Sequence, residues 1–174
     1  MPESFLLRAL RESIQEVLER MFFIQCLLEP LEFVPEPEVA AQLTFEGDPS
    51  GELTLRISAG AARSVSADFL GAGETDLSEQ EIGEVVCELA NMICGSVLSR
   101  VESSSTFRLA TPRILAPAPE SDRCTEAVKP GGFPPPCEDG RVPAVHAVEM
   151  GSGRMVVSIT TEESTWSTVP KYAF

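Results

Sequence analysis

The sequence predicts an α+β fold, with two long amphipathic helices on one face of an antiparallel sheet. Three observations predict it. Apolar residues recur at helical spacing in "PESFLLRALRESIQEVLERMFF" and again in the stretch containing "EVVCELANMICG". Each helix is followed by apolar runs of strand length joined by turn residues. Shifting the first helix by 72 positions reproduces the pattern of the second. Helices on one side and antiparallel strands on the other make an α/β sandwich.

The elements are justified in chain order. The first helix turns Leu10, Ile14, Val17 and Met21 inward and Glu12, Glu16, Glu19 and Phe23 outward. Strands follow at "FIQCLLE", "EVAAQLTFEG" and "GELTLRIS", the last two joined as a hairpin. "SAGAARSVSADFLG" reads as a short helix. "DLSEQE" opens the second long helix, with Ser78 as N-cap and Glu81 completing a capping box. That helix turns Ile82, Val86, Leu89, Ile93 and Val97 inward. "TFRLATPRIL", "AVHAVEM" and "GRMVVSIT" are the strands after it. The chain therefore reads as two pseudo-symmetric helix-plus-three-strand repeats within a single domain, residues 1–174. A Pro-rich stretch, 116–143, is expected to be a mobile insertion between two strands, and the tail 163–174 has no assignment.

Composition narrows the function. An apolar content of 43% supports a real core. A net charge of −14 argues against nucleic acid or an anionic membrane as partner. There is no signal-peptide pattern, and no apolar run reads as a membrane span. The five cysteines lack CxxC spacing, so the expectation is a reduced, cytoplasmic protein without a structural zinc.

The outer stripe of the second helix is the candidate site. Glu84, Glu88, Asn91 and Gly95 step by four, three and four, which aligns them on one helix face. A solvated helix face is the ordinary explanation of such charges. Asn91 and Gly95 fit it badly, because both are poor helix formers and Gly costs about 1 kcal/mol against Ala. Glu84 and Glu88 have the spacing of a metal pair but no His companion. His146 falls in a strand and reads as structural. No Ser-His or Cys-His nucleophile and no P-loop is visible.

"ELANMICG", followed by a strand ending in "TP", resembles the CheC/CheX/FliY phosphatases of bacterial chemotaxis. Their signature of an acidic or Ser residue, Glu, Asn and a downstream Pro is met here by Glu84, Glu88, Asn91 and Pro112. "LERMFF" and "GELTLRISAGAARSVSADFLG" are similar to the CheX branch. Glu19 stands where a second centre would carry Asn, which resembles the one-centre CheX arrangement. The resemblance implies hydrolysis of the aspartyl phosphate of a CheY-like response regulator. It implies Asn91 as the water-orienting residue, Glu88 as the partner of the regulator's Lys, and Glu84, Gly95 and Pro112 as docking contacts. It also implies that this chain binds no cofactor, that the regulator supplies Mg²⁺, and that the protein is a homodimer. The rival reading is a non-catalytic adaptor for a regulator or another signalling protein. A structural component, as in flagellar-switch relatives, is a third, and no appended switch domain is visible.

Overall fold

The computed structural model describes residues 4–27, 37–101, 106–116 and 143–162. Its elements are α1 (Phe5–Met21), β1 (Glu38–Glu46), β2 (Gly51–Ser58), α2 (Ala59–Leu70), a 3-10 turn (Glu74–Asp76), α3 (Glu79–Val101), β3 (Arg108–Leu109), β4 (Arg113–Ile114), β5 (Ala144–Met150) and β6 (Gly153–Thr161). The sheet is antiparallel and runs β3–β1–β2–β6–β5, with β4 also paired to β1.

Strand alternation decides which face is covered. Ala41, Leu55 and Val157 lie opposite one another across β1, β2 and β6, and all are fully buried. Leu43, Leu53 and Ile159 form the next such row. The residues between them, Gln42, Thr54 and Ser158, point to the other face and stay partly exposed. All three helices pack on the apolar face: α1 against β5, α2 against β2 and β6, and α3 against β1 and β2. Each fully buried Leu or Ile contributes roughly 1.5–3 kcal/mol. The α+β sandwich with its antiparallel sheet is thus the architecture that the residue pattern predicts.

α3 is the central helix, touching α1, α2 and the sheet. Its predicted inward residues Ile82, Val86, Leu89, Ile93 and Val97 are all buried, joined by Val85, Ala90, Cys94 and Leu98. Its start is fixed by the expected capping box. The Ser78 N–H and hydroxyl each donate to Glu81 Oε2 at 2.8 Å, and the Glu81 N–H donates to Ser78 Oγ at 3.2 Å. Arg63 of α2 ties the same end down, donating to the Glu74 carbonyl at 3.0 Å and to Glu79 Oε1 at 2.6 Å. By length and a mean hydropathy of 1.4, α3 would pass as a membrane span, contrary to the sequence expectation. Half of that stretch is buried within the fold, and its outer face is charged, as in the core helix of a globular domain.

Several details differ from the sequence expectation. The strand predicted at "FIQCLLE" is represented by one bridge, Leu27 to Glu149 on β5, and residues 28–36 lie outside the described residues. "TFRLATPRIL" is two short strands rather than one. Pro112 lies between them and has no N–H for the ladder, so pairing with β1 resumes only at Arg113. Met21, expected in the core, is 52% exposed. The helix ends there, and Phe22 takes the core position instead, its ring stacked on Phe69 at 5.0 Å. Phe23 turns outward in a left-handed conformation (φ 55) and is 87% exposed, so it does not enter the core. Of the Pro-rich insertion only Ala116 and Pro143 are described, and the tail lies outside the described residues.

Charge locks α1 to α3. Arg100, near the end of α3, donates to Glu12 Oε2 at 3.4 Å and to Glu16 Oε2. Arg8 and Arg20 bind the same two carboxylates from within α1, at 2.9 and 2.8 Å. The hydrogen bond from Arg8 holds the Glu12 carboxyl below its ordinary value of 4.5. Partial burial opposes this, and the charges of Arg8, Arg100 and Arg11 reinforce it. A carboxyl depressed by folding contributes stability that is complete above its ordinary value and is lost as pH falls through the folded one. Glu12→Gln should therefore lower the unfolding free energy measured in urea at pH 7, by no more than about 1 kcal/mol for so exposed a pair. The difference from wild type should shrink steadily in titrations from pH 5 to pH 3. A difference that stays constant over that range would show that the charge of Glu12 is not what stabilises the fold.

Candidate functional site

The four stripe residues share the outer face of α3. Glu84 and Glu88 are exposed, and Asn91 and Gly95 are partly exposed. Burial of the opposite arc fixes this orientation. Turning the helix by one residue would exchange apolar core contacts for carboxylates, at several kcal/mol for each buried charge.

The carboxylates differ in their surroundings. Gln80, one turn before Glu84, donates to its Oε1 at 3.0 Å. Glu88 and Asn91 have no hydrogen-bond or ion-pair partner among the described residues, so their polar atoms are available to solvent or to a second molecule. The corresponding carboxylates of α1 are occupied, Glu12 by Arg8 and Arg100, and Glu16 by Arg20 and Arg100. This clamp was not visible in the sequence, because Arg100 lies 84 positions from Glu16.

The two glycines of α3 have opposite surroundings. A Cβ on Gly83 would lie 3.3 Å from Ile114 Cγ1, so the absence of a side chain there serves close packing of β4. A Cβ on Gly95 would meet nothing within 4 Å. Nothing within the described chain requires glycine at 95, one turn beyond Asn91.

Pro112 lies in the β3–β4 link and is partly buried. Its connection to the stripe runs through Ile114, two residues on, which packs over Gly83 beside Glu84. Ile114 carries no sequence signal beyond its strand, and its position here is a finding of the fold. His146 lies on β5 opposite Val157, partly buried. Four strand spacings separate β5 from β4, roughly 19 Å at about 4.8 Å each, so His146 is remote from Pro112 and its neighbours.

The thiols near the stripe are inert. Burial pushes Cys94 up to about 12, and burial followed by the charge of Glu84 raises Cys87. Both therefore stay protonated near neutral pH and are poor nucleophiles. Among the described residues no group of three or more His, Cys, Asp or Glu is placed to hold a metal ion. The stripe is thus a rigid polar ridge with one free carboxylate, one free carboxamide and a gap one turn further on. It can donate and accept hydrogen bonds, and it carries no nucleophile of its own.

A sheet is covered on one face by three helices, and the central one carries a polar ridge on its outer side. The family model for the chemotaxis phosphatase CheX matches residues 39–131, more than half of the chain, including all four stripe residues and Pro112. The chain belongs to the CheX family of chemotaxis phosphatases. Solved structures share its fold. CheX from Vibrio vulnificus is similar with a TM-score of 0.65 at 18% identity, over 93% of this chain and 99% of that one. CheX from Desulfovibrio desulfuricans gives 0.63 at 18%, over 90% and 99%. The complex of CheX with CheY, BeF3 and Mg²⁺ from Borrelia burgdorferi gives 0.63 at 14%, over 92% and 100%. No match is found among curated proteins.

Gly95→Ala should fit without a clash and raise stability by about 0.5–1 kcal/mol, as removing an interior helix glycine does. Urea unfolding checks this. A destabilised Gly95→Ala would mean that Gly95 serves the fold after all.

Proposed function

We propose that this chain accelerates hydrolysis of the aspartyl phosphate of a CheY-like response regulator, using the outer face of α3. The observation that carries the reading is the free pair Glu88 and Asn91, standing open on a helix whose other side is buried. An acyl phosphate is already activated, so the missing component is a positioned water. The Asn91 carboxamide both donates and accepts hydrogen bonds, so it can hold that water in line with phosphorus. The water oxygen bonds to phosphorus, the bond to the aspartyl oxygen breaks, and the carboxylate leaves with the bonding pair. The water's proton passes to phosphate or solvent. The regulator's own Mg²⁺ balances the phosphoryl charge. Glu88, one turn from Asn91, forms an ion pair with the regulator's Lys and sets the docking register. Glu84, held by Gln80, adds a polar contact at the rim, and Gly95 leaves room for the partner's surface. Pro112 lies at the same edge.

The same reading takes the chain as a single cytoplasmic domain that works as a homodimer and binds neither nucleic acid nor membrane. It has one active face. On α1, Glu12 and Glu16 are neutralised by arginines, and Glu19 cannot donate a hydrogen bond when ionised.

The test is phosphate release from a panel of phosphorylated receivers, with binding measured separately on a receiver loaded with beryllium fluoride and Mg²⁺. Asn91→Ala should lose about a hundredfold or more in turnover while keeping its fold and its binding. Glu88→Lys should weaken binding, since breaking a buried interfacial charge pair costs roughly 2–5 kcal/mol. Glu16→Gln should retain activity close to wild type. Binding without any acceleration of hydrolysis would identify an adaptor and overturn the catalytic reading.

A further inference from the structure

We propose that Ile114 is an apolar anchor that selects the regulator, fitting receivers that present an apolar side chain near the phosphorylation site. This rests on the phosphatase reading above and extends it from chemistry to partner choice.

Ile114 lies opposite Ala41, in the same register as the residues that form the covered face of the sheet. Ala41 is fully buried, but Ile114 is 45% exposed. Among the described residues β4 pairs with β1 at the sheet edge, and the side chain rests on α3 at Gly83 while part of it stays exposed. Its Cγ1 and Cδ1 would lie 3.3 and 3.7 Å from a Cβ on Gly83. Even alanine at 83 would force Ile114 to shift, so the helix interior gives up a good helix former where this isoleucine rests.

The position matters because of what lies along the helix. Gly83, Cys87 and Asn91 follow at i, i+4 and i+8, one row on the surface of α3. Eight residues span about 12 Å. A typical protein interface covers about 800 Å² per partner, a disc of roughly 16 Å radius, so a receiver centred on Asn91 reaches Ile114. Near the stripe the ridge offers carboxylates, which read the partner's cations. Ile114 offers only apolar surface, which a charged or polar residue on the partner cannot match without losing its hydration. The phosphoryl site and its Lys are common to receivers, so Glu88 and Asn91 cannot tell one receiver from another. An apolar contact a dozen ångström away can.

The experiment uses the intact chain and whichever receiver it dephosphorylates fastest. Ile114→Thr keeps the β-branch and the strand propensity but replaces the ethyl group with a hydroxyl. It should raise KM, and the Kd for the beryllium fluoride-loaded receiver, about tenfold, with kcat at saturating receiver unchanged. Ile114→Val, one methylene shorter, should fall between, at about fourfold, and it carries the test alone if the Thr variant does not fold. An unchanged Kd in a folded variant overturns the proposal. So does a fall in kcat at constant Kd, which would make Ile114 a support for α3. If the unaltered chain accelerates no receiver, the phosphatase reading falls and this assignment falls with it.

Discussion

The site depends on the wide buried arc of α3. Nine residues of that helix, from Ile82 to Leu98, are buried against the sheet and its neighbouring helices. Such burial contributes far more than any exposed charge pair, so it alone sets the helix's rotation. Once the rotation is set, Glu84, Glu88, Asn91 and Gly95 have no choice but to face outward. The capping box at Ser78 and the Arg63 clamp fix where the helix begins, which sets the position of the stripe along the helix axis.

α1 and α3 show how one helical pattern yields two surfaces. Both carry carboxylates one turn apart on their outer faces. On α1 these are compensated by three arginines, one of them sent across from α3. On α3 the only polar neighbour described is Gln80, which holds Glu84 and leaves Glu88 free. On the proposed reading, an acidic chain docking an acidic phosphoryl site must keep its carboxylates away from the phosphate itself. A neutral carboxamide at Asn91, with Glu88 a turn away for a cation, meets that requirement. The glycines make a parallel division, Gly83 serving an internal contact while a Cβ at Gly95 would meet nothing within 4 Å.

The sequence by itself determined the class of fold, the capping box and the identity of the stripe. Each is a local matter, because periodicities of 3.6 and 2 and a Ser-x-x-Glu spacing act within a few residues. "ELANMICG" and the "TP" that follows were also enough to point to the family. Only the tertiary structure decided the rest. Met21 continued the helical period on paper, but α1 stops there and Phe22 takes the core position, because packing against Phe69 outweighs periodicity at a helix end. The strand expected through Pro112 broke in two, because whether a missing N–H matters depends on which strand lies alongside. Arg100 meeting Glu16, and Ile114 resting on Gly83, join residues far apart in the chain. No local pattern encodes such pairs. They exist because burying one face of the sheet brings helix ends and an edge strand together, and the burial is a property of the whole chain.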